Sequence, residues 1–155
     1  MILSEVMTPD PKTCSEEDSI RDCARIMADH NVGFLPVVNE LGRLVGVITD
    51  RDITTRATAI GISGDAKVGD ICSDNPVHME PTDTLERAED LLMDAHIRRL
   101  VVVDKEKRPV GVVSLCDVGR FDEDADRVTD VFATVLEPMP QSRTVADLVG
   151  SPCCG

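Results

Sequence analysis

The sequence predicts a mixed α/β fold, of the α+β kind, made of two βαββα units that pack sheet against sheet around a pseudo-two-fold axis. Two observations predict it: an internal repeat, and an apolar pattern inside each copy that changes between helical and strand periods. Residues 11–53 align with residues 76–118 without a gap, and eleven of the forty-three aligned positions are identical. A sheet with helices on a single face leaves its other face uncovered, so each unit is expected to bury that face against the other unit.

The composition favours a soluble protein that does not bind nucleic acids. The 155-residue chain is 42% apolar, which suits a globular module, and its formal net charge is −13. Nucleic-acid binding needs a basic surface and often aromatic side chains that stack on bases, yet the chain has no Trp or Tyr and only three Phe. No apolar run approaches the roughly 20 residues that cross a bilayer. We therefore expect a cytoplasmic protein with no membrane or nucleic-acid partner.

The first unit is predicted to cover residues 1–60. After Asp18, a candidate helix N-cap, apolar residues recur at the spacing of one helical face. Two apolar, β-branched runs separated by turn residues then indicate neighbouring strands. The predicted order is a short extended segment at 12–14, a helix, strands at 34–38 and 44–48, and a helix at 53–60.

A linker is predicted at 61–67, and the second unit at 68–121 repeats the pattern, with strands near 99–103 and 109–113. Residues 122–155 are expected to form a C-terminal helix and a flexible tail. This helix is predicted to cover part of the module or a dimer surface. An apolar stripe at helical spacing indicates it: Val128, Val131, Phe132 and Val135.

Each unit ends in the motif Gly-x-x-[Thr/Ser]-x-x-Asp, where a strand leads into a helix. The hydroxyl and acidic residues are Thr49 with Asp52 and Ser114 with Asp117. The spacing fits a capping box, in which these side chains bond to backbone N–H groups at the helix start. It also fits a nucleotide site, because a helix N-terminus attracts phosphate and a carboxylate accepts hydrogen bonds from a ribose diol. The spacing by itself leaves both uses open, and the capping box is the commoner.

Two βαββα units that each end in this motif resemble the cystathionine β-synthase (CBS) domain family. The resemblance covers residues 2–121 and extends well beyond the motif. The second unit is especially similar to a repeat of the AMP-activated kinase gamma subunit. The matching stretches are Val6-Met7-Thr8, Phe34 to Val38, Thr49 to Ile53, Ile97 to Asp104, and Gly111 to Val118.

The resemblance implies an intramolecular pair of repeats that binds an adenosine compound in two clefts between them. AMP, ADP or ATP is the expected ligand, and S-adenosylmethionine or NAD would also fit the family. In the family the motif Asp holds the ribose, and strand backbone lines the base pocket. The first cleft would contain Thr13, Phe34, Leu35, Pro36, Thr49 and Asp52, with Arg98 and Arg99 reaching across from the other repeat. The second cleft would contain His78, Leu100, Val101, Ser114, Cys116 and Asp117.

The two clefts are expected to differ in their affinity for nucleotides. Arginine binds phosphate through charge-assisted hydrogen bonds, and a protein with a net charge of −13 repels anions at long range. By the resemblance, Arg98 and Arg99 face Asp52, whereas only Gly33 and Phe34 face Asp117. We therefore expect an adenine nucleotide to prefer the Asp52 cleft. The Asp117 cleft is expected to be empty or to hold a less charged adenosine compound.

The sequence predicts no catalytic residue and no metal site. It shows no nucleophile with a base and an orienting partner, and the three histidines lack helical metal-binding spacing. We therefore expect a stand-alone regulatory module, not an enzyme and without a cofactor, that serves energy sensing or signalling. Its occupancy would act through conformational or dimer change, in a homodimer or on an unidentified protein partner.

The cysteines leave two alternatives open. Cys14 and Cys23 fall at apolar positions, where reduced cysteine behaves as a small hydrophobic residue. Cys116 adjoins a motif aspartate, and Cys153 and Cys154 form a vicinal pair. One alternative is therefore a redox- or metal-responsive protein that acts through these last three residues. The other is a ligand-free scaffold whose clefts are degenerate.

Overall fold

The computed structural model describes residues 1–138, and these form two four-stranded sheets with helices packed on one face of each. The mixed fold predicted from the repeat is confirmed. The tail expected at 141–155, which holds Cys153 and Cys154, lies outside the described residues.

The first half of the chain contains a central hairpin of two strands whose bounds nearly match the prediction. β3 and β4 pair antiparallel, and the parallel strand β2 lies beside β3. The elements are α1 (Leu3–Val6), β1 (Thr8–Pro9), β2 (Cys14–Ser15), α2 (Ile20–His30), β3 (Phe34–Val38), β4 (Leu44–Thr49) and α3 (Asp50–Asp52).

The second half repeats this arrangement and adds one helix. β7 and β8 form the hairpin, with the parallel strand β6 beside β7. The elements are β5 (Ser73–Asp74), β6 (His78–Met79), α4 (Leu85–Ala95), β7 (Arg99–Val103), β8 (Pro109–Ser114), α5 (Leu115–Phe121) and α6 (Ala125–Leu136).

The short segments that open the two units are exchanged between them. β1 pairs antiparallel with β8 of the second unit, and β5 pairs antiparallel with β4 of the first. The sheet orders are therefore β2-β3-β4-β5 and β1-β8-β7-β6. Leu3 of α1 is fully buried in the second unit's core, and Val68 is fully buried in the first unit's core. Burial of such a side chain stabilises the fold by about 1.5–3 kcal/mol, so the exchange joins the two units strongly.

Helix α2 begins one residue later than the sequence predicted. Its N-cap is Ser19, whose hydroxyl accepts a hydrogen bond from the Asp22 N–H at 3.0 Å. Asp18, the predicted cap, instead accepts a bond from the Ser15 N–H at 2.8 Å and closes the turn before the helix. The second unit divides these roles in the same way, with Thr84 as the cap.

The helix predicted at 53–60 begins earlier and is irregular. It starts as α3, continues through a π-helical turn at Ile53–Ala57 and ends in a 3-10 turn at Thr58–Ile60. Gly61 follows with a φ of 78°, in the left-handed region that favours glycine after a helix.

The C-terminal helix α6 packs on the second unit. This agrees with one of the two predicted alternatives, in which the helix covers part of the module. Val131 and Val135 are buried in that unit's core. Arg127 forms ion pairs with Glu89 and Asp90 of α4, the second with Nη2 2.9 Å from the carboxylate Oδ1. Helix α6 thus covers part of the second unit's core, and the repeat contains no corresponding helix for the first unit within the described residues.

Candidate ligand clefts between the two units

The first motif forms a complete capping box at the start of α3. The Thr49 hydroxyl accepts a hydrogen bond from the Asp52 N–H at 3.1 Å, and Asp52 Oδ2 accepts one from the Thr49 N–H at 2.9 Å. The capping-box interpretation of this motif is therefore confirmed. Only Oδ2 of the carboxylate takes part, and the half-buried side chain keeps Oδ1 for another partner.

The second motif caps α5 and lies deeper in the fold. Asp117 Oδ2 accepts hydrogen bonds from both the N–H and the hydroxyl of Ser114, each at 2.8 Å. Asp117 is buried, whereas Asp52 is half-buried. The two aspartates thus differ in accessibility although their motifs match.

The strand ends that carry the two motifs meet across the interface between the units. Phe34 on β3 lies opposite Thr49, and Arg99 on β7 lies opposite Ser114. The Arg99 guanidinium carbon is 6.0 Å from the centre of the Phe34 ring, within the range of a cation–π contact. Arg99 is therefore adjacent to Ser114 through strand pairing and to the Thr49 end of the first unit through its side chain.

The residues that precede these strands bond to the motif helices of their own units. The Gly33 carbonyl accepts a hydrogen bond from the Asp50 N–H at 3.0 Å, and the Arg98 carbonyl accepts one from the Leu115 N–H at 3.1 Å. The Arg98 side chain is exposed. In both units the carbonyl before the strand accepts a hydrogen bond from the motif helix. Only the second unit has a cationic side chain, Arg98, at that position.

Leu35 and Leu100 do not direct their side chains into the interface. Both are fully buried in the helix-facing cores of their units, so only their backbone is available to a ligand. Pro36 and Val101 are buried at alternate positions and belong to neither core cluster, which places them on the opposite sheet face. Alternate residues of a strand point to opposite sheet faces, so two of the predicted lining residues direct their side chains to the helices and two direct them to the other face.

His78 pairs with Val101 on β7 of its own unit and lies at the boundary between the two units. His78 lines a cavity of about 370 Å³ together with Leu44 and Val45 of β4, the strand that ends at Thr49. The sequence grouped His78 with Asp117, because both belong to the second repeat. The crossover from β5 to β6 runs beside β4 before it reaches its own sheet, so His78 lines a cavity formed by both units, and its grouping with Asp117 stays a prediction.

Thr13 follows the corresponding crossover from β1, which runs beside β8. The backbone N–H of Asp10 donates a hydrogen bond to the carbonyl of Val110 on β8 at 3.2 Å. Thr13 itself directly precedes Cys14, which pairs with Val37 on β3 of the first unit. Its assignment to the Asp52 cleft stays a prediction.

Lys107 is a cavity residue that sequence reasoning missed. Its ammonium is 3.1 Å from Nε2 of His78, whose Nδ1 is 3.1 Å from the Pro76 carbonyl. A carbonyl only accepts and an ammonium only donates, so these partners assign the proton of a neutral imidazole to Nδ1. No sequence signal marks Lys107, because its placement depends on contact between the hairpins: its carbonyl accepts the Leu44 N–H at 2.8 Å.

Arg56 is a second cation that the sequence analysis did not include. Its Nε is 3.6 Å from Asp52 Oδ1, and its Nη1 donates hydrogen bonds to the Ile71 carbonyl at 3.2 Å and the Ser73 hydroxyl at 3.3 Å. The helical i, i+4 spacing from Asp52 could have indicated it. The exchanged segment holds the guanidinium beside the motif carboxylate.

Within residues 1–138 there is no group of three or more His, Cys, Asp or Glu side chains arranged to hold a metal ion. Cys116 is an exposed free thiol, and the cysteines paired with it in the alternative hypothesis lie outside the described range. None of the helices in that range has the length and apolar character of a membrane span.

Comparison with known proteins agrees with this architecture. A sequence profile of the CBS domain matches residues 3–58 and again residues 68–124. The chain belongs to the CBS domain family. Among relatives of this CBS pair, the CBS domain-containing protein YhcV of Bacillus subtilis (strain 168) is 40% identical over 116 residues. That match covers 75% of this chain and 81% of YhcV.

Two solved CBS structures are similar in fold and hold adenosine compounds. The CBS domain pair of protein MJ0100, in complex with 5′-methylthioadenosine and S-adenosyl-L-methionine, has a TM-score of 0.69 and is 28% identical, covering 77% of this chain and 94% of that one. CBSX2 in complex with AMP has a TM-score of 0.67 and is 27% identical, covering 77% of this chain and 93% of that one. Relatives of this CBS pair therefore bind adenosine compounds.

Proposed function

We propose that this CBS pair is a regulatory module that binds an adenosine-containing ligand, of the AMP, ADP or ATP class, between its repeats. S-adenosylmethionine remains a candidate because the MJ0100 pair was solved with it, and NAD because it carries the same nucleoside. The module is proposed to act without chemistry of its own, in the cytoplasm and as a homodimer.

The observation that carries the proposal is the contact of Arg99 with Phe34 across the two repeats. It brings a cation of one repeat to the strand end where the other repeat presents Thr49 and Asp52. A hydroxyl, a carboxylate and a guanidinium at one place match the needs of a ribose phosphate: an acceptor for the diol and a bidentate donor for the phosphate.

We propose that the Asp52 cleft is the preferred nucleotide site. Asp52 is more accessible than Asp117. Arg56 and Arg99 add local positive charge that a chain with a net charge of −13 needs in order to attract an anion.

Binding would be transmitted by population shift. A ligand that contacts both repeats stabilises the arrangement in which Arg99 and Phe34 are close, and it shifts the protein only by its difference in affinity between arrangements. The hydrogen bond between Leu44 and Lys107 joins the two hairpins and is the second point at which the arrangement can change.

The proposal is tested by a thermal-shift screen of ligand-free protein against AMP, ADP, ATP, NAD and S-adenosylmethionine. A ligand at 100 times its dissociation constant adds about 2.7 kcal/mol, which raises the unfolding midpoint by roughly 5–10 °C for a chain of this size. No shift with any of the five compounds would leave the ligand-free scaffold as the better hypothesis. A response to oxidant or zinc that is lost when Cys116, Cys153 and Cys154 are all replaced by serine would favour the redox or metal alternative.

A further inference from the structure

The core of the first unit contains a pair of free thiols in direct contact. Cys14 on β2 and Cys23 on α2 place their sulfur atoms 3.8 Å apart. Cys14 is 3% exposed and Cys23 is fully buried. A third thiol, Cys72, packs against the same core and is half-exposed. None of these three residues is used by the proposed ligand cleft.

The fold does not require thiols at these positions. In the repeat alignment, Cys14 corresponds to Met79 and Cys23 to Ala88. Both of these residues are buried in the second unit's core, on the equivalent strand and helix. The same framework therefore packs without a thiol pair, so packing by itself does not account for two cysteines in contact in the first unit.

The geometry needs only a small movement to join the two sulfurs. A disulfide has an S–S distance of about 2.05 Å, so the present separation must shorten by roughly 1.8 Å. Side-chain rotation and a slight approach of α2 to β2 can supply this change. The strand β2 is only two residues long and pairs with β3 along a single edge.

We propose that Cys14 and Cys23 are a redox modification site that forms a reversible disulfide when the protein meets a hydroperoxide. The thiolate of one cysteine attacks a peroxide oxygen, the O–O bond breaks, and the departing hydroxide takes up a proton to become water. The sulfur of the second cysteine then displaces the hydroxyl of the resulting sulfenic acid, which leaves as a second water. Overall, two thiols are oxidised by two electrons and hydrogen peroxide is reduced to two waters.

The disulfide is expected to influence the ligand cleft through β2. Cys14 follows Thr13 in the chain and pairs with Val37 on β3; both belong to the helix-facing core, whereas the adjacent Pro36 lies on the sheet face that meets the other unit. Drawing Cys14 toward α2 shifts that edge of the interface. We expect oxidation to weaken AMP binding at least threefold, and this part of the inference depends on the proposed function.

The modification itself is tested on the full chain without any nucleotide. Reduced protein is treated with hydrogen peroxide, blocked with N-ethylmaleimide, unfolded and digested with trypsin. Cleavage after Lys12, Arg21 and Arg25 puts the two cysteines in separate peptides, so a disulfide yields one linked peptide that dithiothreitol separates. The hydrogen bond with Cys23, together with burial, raises the pKa of the Cys14 thiol. The linked peptide is therefore expected to form over hours and faster at higher pH.

Two variants make the result specific. Cys23→Ala introduces the residue that the second unit carries at the matching position, and it should abolish the linked peptide and the effect of peroxide on AMP binding. Cys72→Ala should leave both intact. If Cys14 and Cys23 stay unlinked in the folded protein while exposed Cys116 is oxidised, the thiol pair is inert core packing and the inference is wrong. A linked peptide in a protein that binds no AMP would support the modification site and reject only the proposed function.

Discussion

At the scale of single residues, the motif aspartates combine two uses that the sequence presented as alternatives. Each forms a capping box with Oδ2, so neither residue needs a ligand to explain its presence. At Asp52 the box leaves the second oxygen to an ion pair with Arg56. A ribose diol would bind at that oxygen. The cap and the ligand site are therefore compatible in one carboxylate.

The Asp52→Asn variant should lower the affinity for AMP at least tenfold, because a hydrogen bond to a charged group contributes about 1.5–3 kcal/mol. Asparagine is a good capping residue, so the fold should be retained. The matched variant Asp117→Asn should change the affinity less than twofold. Calorimetric titration measures both, and a larger loss for Asp117→Asn would reverse the proposed order of the clefts.

The motif glycines have a packing role that appears only with the exchanged segments. A Cβ atom at Gly46 would lie 2.8 Å from the Ser73 carbonyl oxygen, and one at Gly111 would lie 2.2 Å from the Met7 sulfur. Both neighbours belong to the segments that cross between the units. Glycine is thus needed where one backbone passes closely over another.

The Gly46→Ala variant should destabilise the protein by about 1–3 kcal/mol, because the carbonyl of Ser73 is fixed by strand pairing and cannot move aside cheaply. Gly111→Ala should cost less, since the Met7 side chain is flexible. Urea unfolding of both variants measures the difference. A greater loss for Gly111→Ala would show that the second contact is the more rigid one.

At the scale of elements, α6 is fastened to the second unit by a buried ion pair as well as by apolar contacts. Glu89 on α4 is 1% exposed, and its Oε1 has no hydrogen-bond partner among the described residues. Arg127 on α6 pairs with the other oxygen. Burial raises the pKa of Glu89, and nearby Asp122 adds to the effect, while the ion pair with Arg127 opposes it. The raised pKa of buried Glu89 is therefore expected to make the stability of this packing depend on pH.

The Glu89→Gln variant should reveal this dependence on pH. Because the pKa of Glu89 is higher in the folded than in the unfolded state, its contribution to stability is complete below the ordinary value of 4.5 and is lost as pH rises through the raised pKa. Relative to Glu89→Gln, the wild-type protein should therefore lose stability on going from pH 4 to pH 7. Urea unfolding at several pH values measures the difference, and a difference that does not change with pH would contradict this assignment.

At the scale of the whole molecule, the two units are joined by exchange as well as by contact. The first residues of the chain complete the second unit, and residues 68–74 complete the first. A ligand cleft built on one sheet therefore includes chain from the other repeat. This connection gives the module a physical route by which binding in one cleft can affect both halves.

The Leu3→Ala variant tests the exchange directly. Removal of this buried side chain should cost about 2–5 kcal/mol and should raise hydrogen exchange chiefly in β7 and β8, although Leu3 lies at the start of the chain. The matched variant Ile71→Ala should affect chiefly β3 and β4. Hydrogen-exchange mass spectrometry distinguishes the patterns, and increased exchange in the first sheet for Leu3→Ala would contradict the observed packing.

The sequence by itself determined the repeat, the strand hairpins and the class of fold. Strand bounds at 34–38 and 99–103 follow from local apolar patterns, which depend on the period of a strand and need no knowledge of its neighbours. The same local logic identified the residues of both motifs. The helix cap was misplaced by one position, because Asp18 and Ser19 both have side chains that can bond to backbone N–H groups.

Only the tertiary structure decided which segments of the two units lie side by side. The segments that precede Thr13 and His78 pair with the opposite units, whereas Thr13 and His78 themselves adjoin strands of their own units. The sequence pattern likewise indicates neither the position of Lys107 in the cavity nor the contact between Cys14 and Cys23. The physical reason is the same in each case: pairing between distant segments depends on how two faces of the folded sheets meet, and no local period in the sequence records that choice.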